Sequence, residues 1–208
     1  MTERDRQIME RKQYSAGATK FSFWFMEFKS AVKLLAEGKS FEEIKRLALK
    51  ENLFAASTPA RGKQIYHTVT ARIKSLDESF YSIFINADLP TQKLFALTAA
   101  MAQDALFFDF IYEVIREKMI IGSYEYADSD LRIFFKDKQL QNEKAAAWTD
   151  ETINRLGRCY KTMLYEAGMT DKGKKTRKIL KPILDKEMEQ WLVVHDMEPM
   201  VKALTGVR

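Results

Sequence analysis

Apolar residues recur at helical spacing along most of this chain. Phe21, Trp24, Phe25, Phe28, Val32 and Leu35 fall on one face of a stretch that predicts a helix from about Lys20 to Glu37, with Gly38 as its stop. Ser40 followed three residues later by Glu43 is a capping box for a second helix to about Asn52. Ser57 or Thr58, with Pro59 in the first turn, opens a third helix whose buried stripe is Ile65, Val69, Ile73 and Leu76. A short fourth helix is expected from Glu78 to Ile85. From Thr91 to Ile121 the chain is apolar nearly all round, which predicts two helices, or one kinked helix, at the buried centre of the fold; Gly122 closes it. Asp128 is placed to cap a helix running to about Trp148. Thr149 with Asp150 and Glu151 starts another that reaches Ala167 and stops at Gly168. Asp185 caps a helix to about His195, and a last short helix covers Glu198 to Leu204. The stretch Ile179 to Ile183 allows a short extended segment, so strand content should be minor. Residues 1–13 read as a charged, frayed lead-in.

These elements predict an all-α protein. Glycine (8) and proline (4) are scarce, as expected for helices joined by short loops rather than for a turn-rich β architecture. Leu89-Pro90 is the expected hinge between two packed helical lobes, 1–88 and 89–208. The second and third helices resemble a helix-turn-helix, with a somewhat long connection from Leu53 to Ser57.

Hydrophobic residues make up 46% of the chain, and 14 Phe, 8 Tyr and 3 Trp provide for a substantial core. The single cysteine, Cys159, cannot form an internal disulfide and fits a reducing compartment. The N-terminus lacks the apolar core of a signal peptide. The longest apolar run, Leu94 to Tyr112, is interrupted by Gln103, Asp104 and Asp109, so no membrane span is expected. A soluble cytoplasmic protein with no membrane partner is the reading.

Catalytic chemistry finds little support. His67, His195 and Cys159 are the available nitrogen and sulfur ligands, and none lies near another in sequence, so no metal or cofactor is expected. His67 falls on the polar face of the third helix as a surface or phosphate-facing residue, His195 can meet the terminal carbonyls of its helix, and Cys159 reads as a core thiol. Asp109, Glu113 and Glu117 recur every four residues. They could do acid–base work, but without a nearby histidine they are read as a solvated stripe partnered by Arg116 or Lys118. Gly168 to Lys175 matches a phosphate-binding loop except at its last position, where Lys175 stands in place of the Ser or Thr that would reach Mg²⁺. A helix precedes it where that loop needs a strand.

Net charge is +5 and the sequence pI about 9.1. The asymmetry is concentrated in two places. The stretch from Lys172 to Lys181 holds Lys172, Lys174, Lys175, Arg177, Lys178 and Lys181 with no acid among them. The stretch from Ala55 to Leu76 also lacks Asp and Glu; there Lys63, His67, Thr70 and Lys74 face away from the apolar stripe, while Arg61 and Arg72 flank it. Clustered cations without carboxylates suit a polyanion backbone, and the scarcity of Asn and Gln in both regions gives no sign of base-specific reading. The alternative is a pair of solvated faces carrying solubilising charge.

Several short patterns resemble the BrxA family. They are Tyr14-Ser15-Ala16-Gly17 with Thr19-Lys20, Glu51-Asn52-Leu53-Phe54, Phe110-Ile111-Tyr112-Glu113-Val114 with Arg116-Glu117-Lys118, Trp148 ahead of Ile153, Arg155 and Leu156, and Leu164 with Ala167-Gly168. The similarity covers nearly the whole chain in matching order. BrxA proteins are small helical subunits of bacteriophage-exclusion (BREX) phage-defence systems. The resemblance implies a NusB-like helical fold and a non-enzymatic accessory protein that binds double-stranded DNA; the role expected of it is to place other BREX proteins, including a methyltransferase, on that DNA. It hands over no site residues. An RNA-binding role of the NusB type remains open, as does a protein adaptor docking through aromatics such as Phe23 or Trp191.

Overall fold

The computed structural model describes residues 13–207. The expected lead-in lies outside these residues except for Gln13. Among the described residues the architecture is all-α with one two-stranded sheet, and the chain forms two compact units. One is Phe23–Gln103; the other joins the N-terminal segment up to Ser22 to everything from Asp104 onward.

The Phe23–Gln103 unit contains α1 (Phe25–Ala36), α2 (Phe41–Lys50), α3 (Pro59–Ile73), α4 (Phe80–Asn86) and α5 (Leu89–Gln103). The first helix begins later than its apolar stripe suggests. Ala16–Lys20 is a 3₁₀ turn, Phe21 is extended, and Trp24 takes a left-handed φ of 52° immediately before α1. The capping box forms: Ser40 N donates to Glu43 Oε2 at 2.8 Å, and Glu43 N to Ser40 Oγ at 3.2 Å. The Ser40 N–H, joined by the Ser40 hydroxyl donating to the same oxygen at 2.9 Å, holds the Glu43 carboxyl below its usual pKa. Of the two candidate caps for the third helix, Thr58 is the one used, accepting from Arg61 N at 3.2 Å. Phe28, Phe80, Phe84 and Phe95 meet at the centre, with Phe80 and Phe95 stacked at 5.6 Å. Each such ring, fully buried, stabilises the fold by about 1.5–3 kcal/mol. Leu89-Pro90, the expected hinge, occupies the first turn of α5, where Thr91 N donates to Asp88 Oδ1 at 2.9 Å. The unit boundaries fall instead after Ser22 and after Gln103.

The apolar run from Thr91 to Ile121 breaks at Asp104, whose carboxylate accepts from Phe107 N at 3.1 Å and caps the next helix. This second unit contains α6 (Ala105–Phe110), a π-helical turn at Ile111–Ile115, α7 (Arg116–Ile120), β1 (Glu125–Ala127), α8 (Asp128–Gln141), α9 (Glu143–Ala146), α10 (Asp150–Glu166), β2 (Thr176–Lys178), α11 (Lys186–Val194) and α12 (Glu198–Thr205). The single helix expected from Asp128 to Trp148 divides at Asn142, which caps α9 through Ala145 N at 3.0 Å. Asp130, rather than Asp128, closes the start of α8, accepting from Ala127 N at 2.7 Å. Phe107, Phe110, Phe134, Phe135 and Tyr160 form the aromatic core. Among the described residues no single helix is long and apolar enough to cross a membrane.

In the Asp109–Glu113–Glu117 stripe, Glu113 and Glu117 are exposed as expected of a solvated face, and Asp109 is the departure. Asp109 is buried, and Tyr14 Oη donates to its carboxylate. Lys138 of α8, itself buried, reaches Asp109 Oδ2 at 3.1 Å and Glu113 Oε1 at 2.7 Å. Burial alone would lower the Lys138 pKa; the hydrogen bond to Glu113 and the two carboxylate charges outweigh it and raise it. Burial and the Asp109 carboxylate push the Tyr14 phenol up to about 12. Between Asp109 and Arg116 the helix widens into its π turn, which carries Glu113 and where Arg116 N donates to Ile111 O. Glu117 pairs with Arg116 at 2.6 Å. The cluster ties two segments that carried the family resemblance, at Tyr14 and at Phe110–Val114, to each other.

Candidate nucleic-acid interface

The basic stretch from Lys172 to Lys181 is pinned to the fold rather than left as a free loop. β2 pairs antiparallel with β1 in the register Glu125–Lys178, Tyr126–Arg177 and Ala127–Thr176. The pairing extends on both sides. Ile179 N donates to Tyr124 O at 2.8 Å, and Asp128 N donates to Lys175 O at 3.0 Å. Strand therefore forms inside the basic run, one step before the segment expected to be extended. The reason is the partner: β1 offers an edge that is invisible from the local sequence of β2.

The turn leading into β2 is built around Asp171. Its carboxylate accepts from Gly173 N at 3.1 Å and Lys178 N at 2.9 Å, and these two backbone donors hold it below the usual carboxylate range. Its charge is thus directed into the turn. Gly173 is required for close approach, because a Cβ there would stand 2.0 Å from Thr176 O. With the backbone fixed in this way, Lys172, Lys174, Lys175, Lys178 and Lys181 are all exposed. Arg177 turns inward: it is half-buried, and its guanidinium donates to Asp171 O at 3.3 Å. It shapes the turn more than it offers charge.

In the other unit, Lys63 and His67 of α3 and Lys74 at its C-cap are exposed to solvent. Lys74 Nζ lies 4.4 Å from the Phe41 ring centroid. Arg61 is half-buried over Trp24 at 4.8 Å and donates to Gln64 Oε1 at 2.7 Å. Arg72 departs from expectation. It is buried, and its guanidinium donates to Phe23 O at 2.6 Å, tying α3 to the entry of α1. A guanidinium committed to a buried carbonyl is not available to a phosphate. Thr70 is also buried, with its hydroxyl bonded to Tyr66 O at 2.7 Å, so it does not belong to the polar face. The aromatics offered for an adaptor surface are core residues: Phe23 is 1% and Trp191 5% exposed.

The groups considered for catalysis are arranged as structural ones. His195 Nδ1 lies 2.8 Å from Trp191 O at the end of α11. Burial pushes the free Cys159 thiol up, away from the thiolate form. Among the described residues no group of three or more His, Cys, Asp and Glu could hold a metal ion.

Cations on α8 and α10 escaped the reading of the sequence. Arg132, Arg158 and Lys161 line a cleft of about 240 Å³ together with Asp128 and Asn154. Arg155, Arg158 and Lys161 recur every three residues along α10, which is the signal that marks a basic helical face.

The family profile of BrxA matches residues 12–196. A BREX protein BrxA from Bacillus cereus (strain H3081.97) is 38% identical over 161 residues, spanning 77% of this chain and 80% of that protein. Among solved structures, an uncharacterized protein from Magnetospirillum magneticum superposes with a TM-score of 0.79 at 16% identity, covering 94% of this chain and 100% of that one. At that identity the match bears on the fold alone.

Proposed function

Because the chain belongs to the BrxA family, we propose that it acts in a BREX phage-defence system as a non-enzymatic accessory protein that holds double-stranded DNA. Contact is to phosphates, with little sequence preference. The observation that carries this reading is the pinned basic segment: five lysines project from a backbone fixed by β1, and the Asp171 carboxylate within the turn is engaged by main-chain donors. Fixing the backbone lowers the entropic cost of presenting the lysines together, and five lysines outweigh the one exposed carboxylate in their register, Glu125 opposite Lys178, leaving the surface net positive toward phosphate. Lys63, His67 and Lys74 on α3 add a second contact surface. Other BREX proteins are the expected partners, placed on DNA through this subunit.

Gel-shift titration across a salt series tests the proposal. The log of the binding constant should fall by about 0.9 per unit of log salt for each phosphate neutralised, so five lysines give a slope near −4.5. A flat salt response removes the idea. Competition between duplex DNA and structured RNA distinguishes it from an RNA-binding role, because A-form RNA offers a different groove geometry. Preference for RNA assigns the basic surfaces to that partner instead.

A further inference from the structure

We propose that the cleft between α8 and α10 is a phosphate seat that completes the basic surface of its unit. Arg132 projects from α8 and Arg158 from α10, both exposed, and neither guanidinium has a hydrogen bond or ion pair among the described residues. Lys161 Nζ is fixed by Asp128 Oδ1 at 2.7 Å. The cleft's one carboxylate is thereby spent on its one lysine, and the two arginines remain uncompensated: three cations against one acid leave two positive charges. Asn154 adds a neutral amide donor beside them, and Leu131 and Phe135 form the floor. Two planar guanidinium forks over a closed floor match the oxygens of an oxyanion such as phosphate and do not suit an apolar ligand.

The same Asp128 links this cleft to the basic segment. Its side chain holds Lys161, while its backbone N donates to Lys175 O at 3.0 Å. The cleft therefore borders the backbone that carries Lys175. In its DNA form the inference rests on the function proposed above, with the ligand a backbone phosphodiester; the alternative source of the same chemistry is a small phosphate-bearing molecule.

The test compares four proteins, wild type, R132A/R158A, R132K/R158K and K174E/K175E, for duplex binding across a salt series and for thermal melting with and without inorganic phosphate. R132A/R158A should melt like wild type without phosphate, since both side chains are exposed and unpaired. Its salt slope should be shallower by about 2, one for each lost phosphate contact. R132K/R158K, which keeps the charge and loses the fork, should keep the wild-type slope with weaker binding. Wild-type affinity and slope in R132A/R158A, alongside lost binding in K174E/K175E, overturns the cleft and leaves the DNA reading standing. If the wild type binds no DNA, that reading falls and the phosphate melts decide. A stabilisation by phosphate that R132A/R158A lacks keeps the seat as a site for a small phosphate ligand, and equal melting behaviour overturns it.

Discussion

Lys138 sits in α8 between Asp137 and Gln139, in a stretch that reads as an exposed helical face. In the fold it is buried against Asp109 and Glu113, with Tyr14 on the same carboxylate. Removing one partner of a buried pair leaves the other charge desolvated and uncompensated, whereas replacing both with neutral groups is often tolerated. Lys138→Ala is therefore expected to lower stability by about 3 kcal/mol, and the double variant D109N/K138M to lie closer to wild type than K138A does. Urea denaturation of these two variants and the wild type checks this; a double variant less stable than K138A would mean that the two side chains do not act as a pair. Arg72 follows the same logic with a backbone carbonyl as partner. Its place beside Arg61 in an acid-free stretch suggested a phosphate contact, yet the packing of α3 on the Phe23 segment turns it into a structural donor.

Among the elements, the most accurately read starts are those whose signal is local. Ser40–Glu43, Thr58 with Pro59, Thr149 and Asp185 all cap the helices expected of them, because a cap bond spans three residues and needs nothing from the rest of the chain. The π turn at Ile111–Ile115 and the strand at Thr176–Lys178 carry no such signal. The first lies in an apolar run with no distinctive spacing, and the second depends on β1, some fifty residues earlier in the chain. The turn before β2 gives a prediction at this scale. Gly173→Ala places a Cβ against Thr176 O and should force the turn open at a cost of about 1–3 kcal/mol, with loss of DNA affinity. Lys174→Ala in the same turn should leave stability unchanged. Thermal melting and gel shifts on both variants separate the two effects; a stable G173A with full affinity would show that the turn's geometry is irrelevant to binding.

For the whole molecule, the question is how charge is distributed over two units. α8 divides it within one of them. Asp130 and Asp137 line a cleft of about 280 Å³ with Glu113, Glu117 and Lys118, while Arg132 lines the opposite cleft with Arg158 and Lys161. A polyanion is repelled from the first and attracted to the second. Lys63 belongs to the other unit. If both units grip one duplex through independent phosphate contacts, the losses of log affinity in K63E and in K174E/K175E should sum in the triple variant. Wild-type binding by K63E would confine the grip to the unit that carries the basic segment.

Helix identity, the main caps, the scarcity of strand and the two cation-rich stretches were determined by the sequence alone, because each is written in residues within a few positions of one another. Packing decided the rest. Whether Lys138, Arg72, Phe23 and Trp191 meet water depends on which distant element lies across from them, and burial is a property of that opposing surface. The clustering of Arg132 with Arg158 and Lys161 likewise exists only once α8 and α10 are side by side. Local periodicity thus sets which face of a helix is polar, and the tertiary arrangement sets which of those polar groups remain free to hold a phosphate.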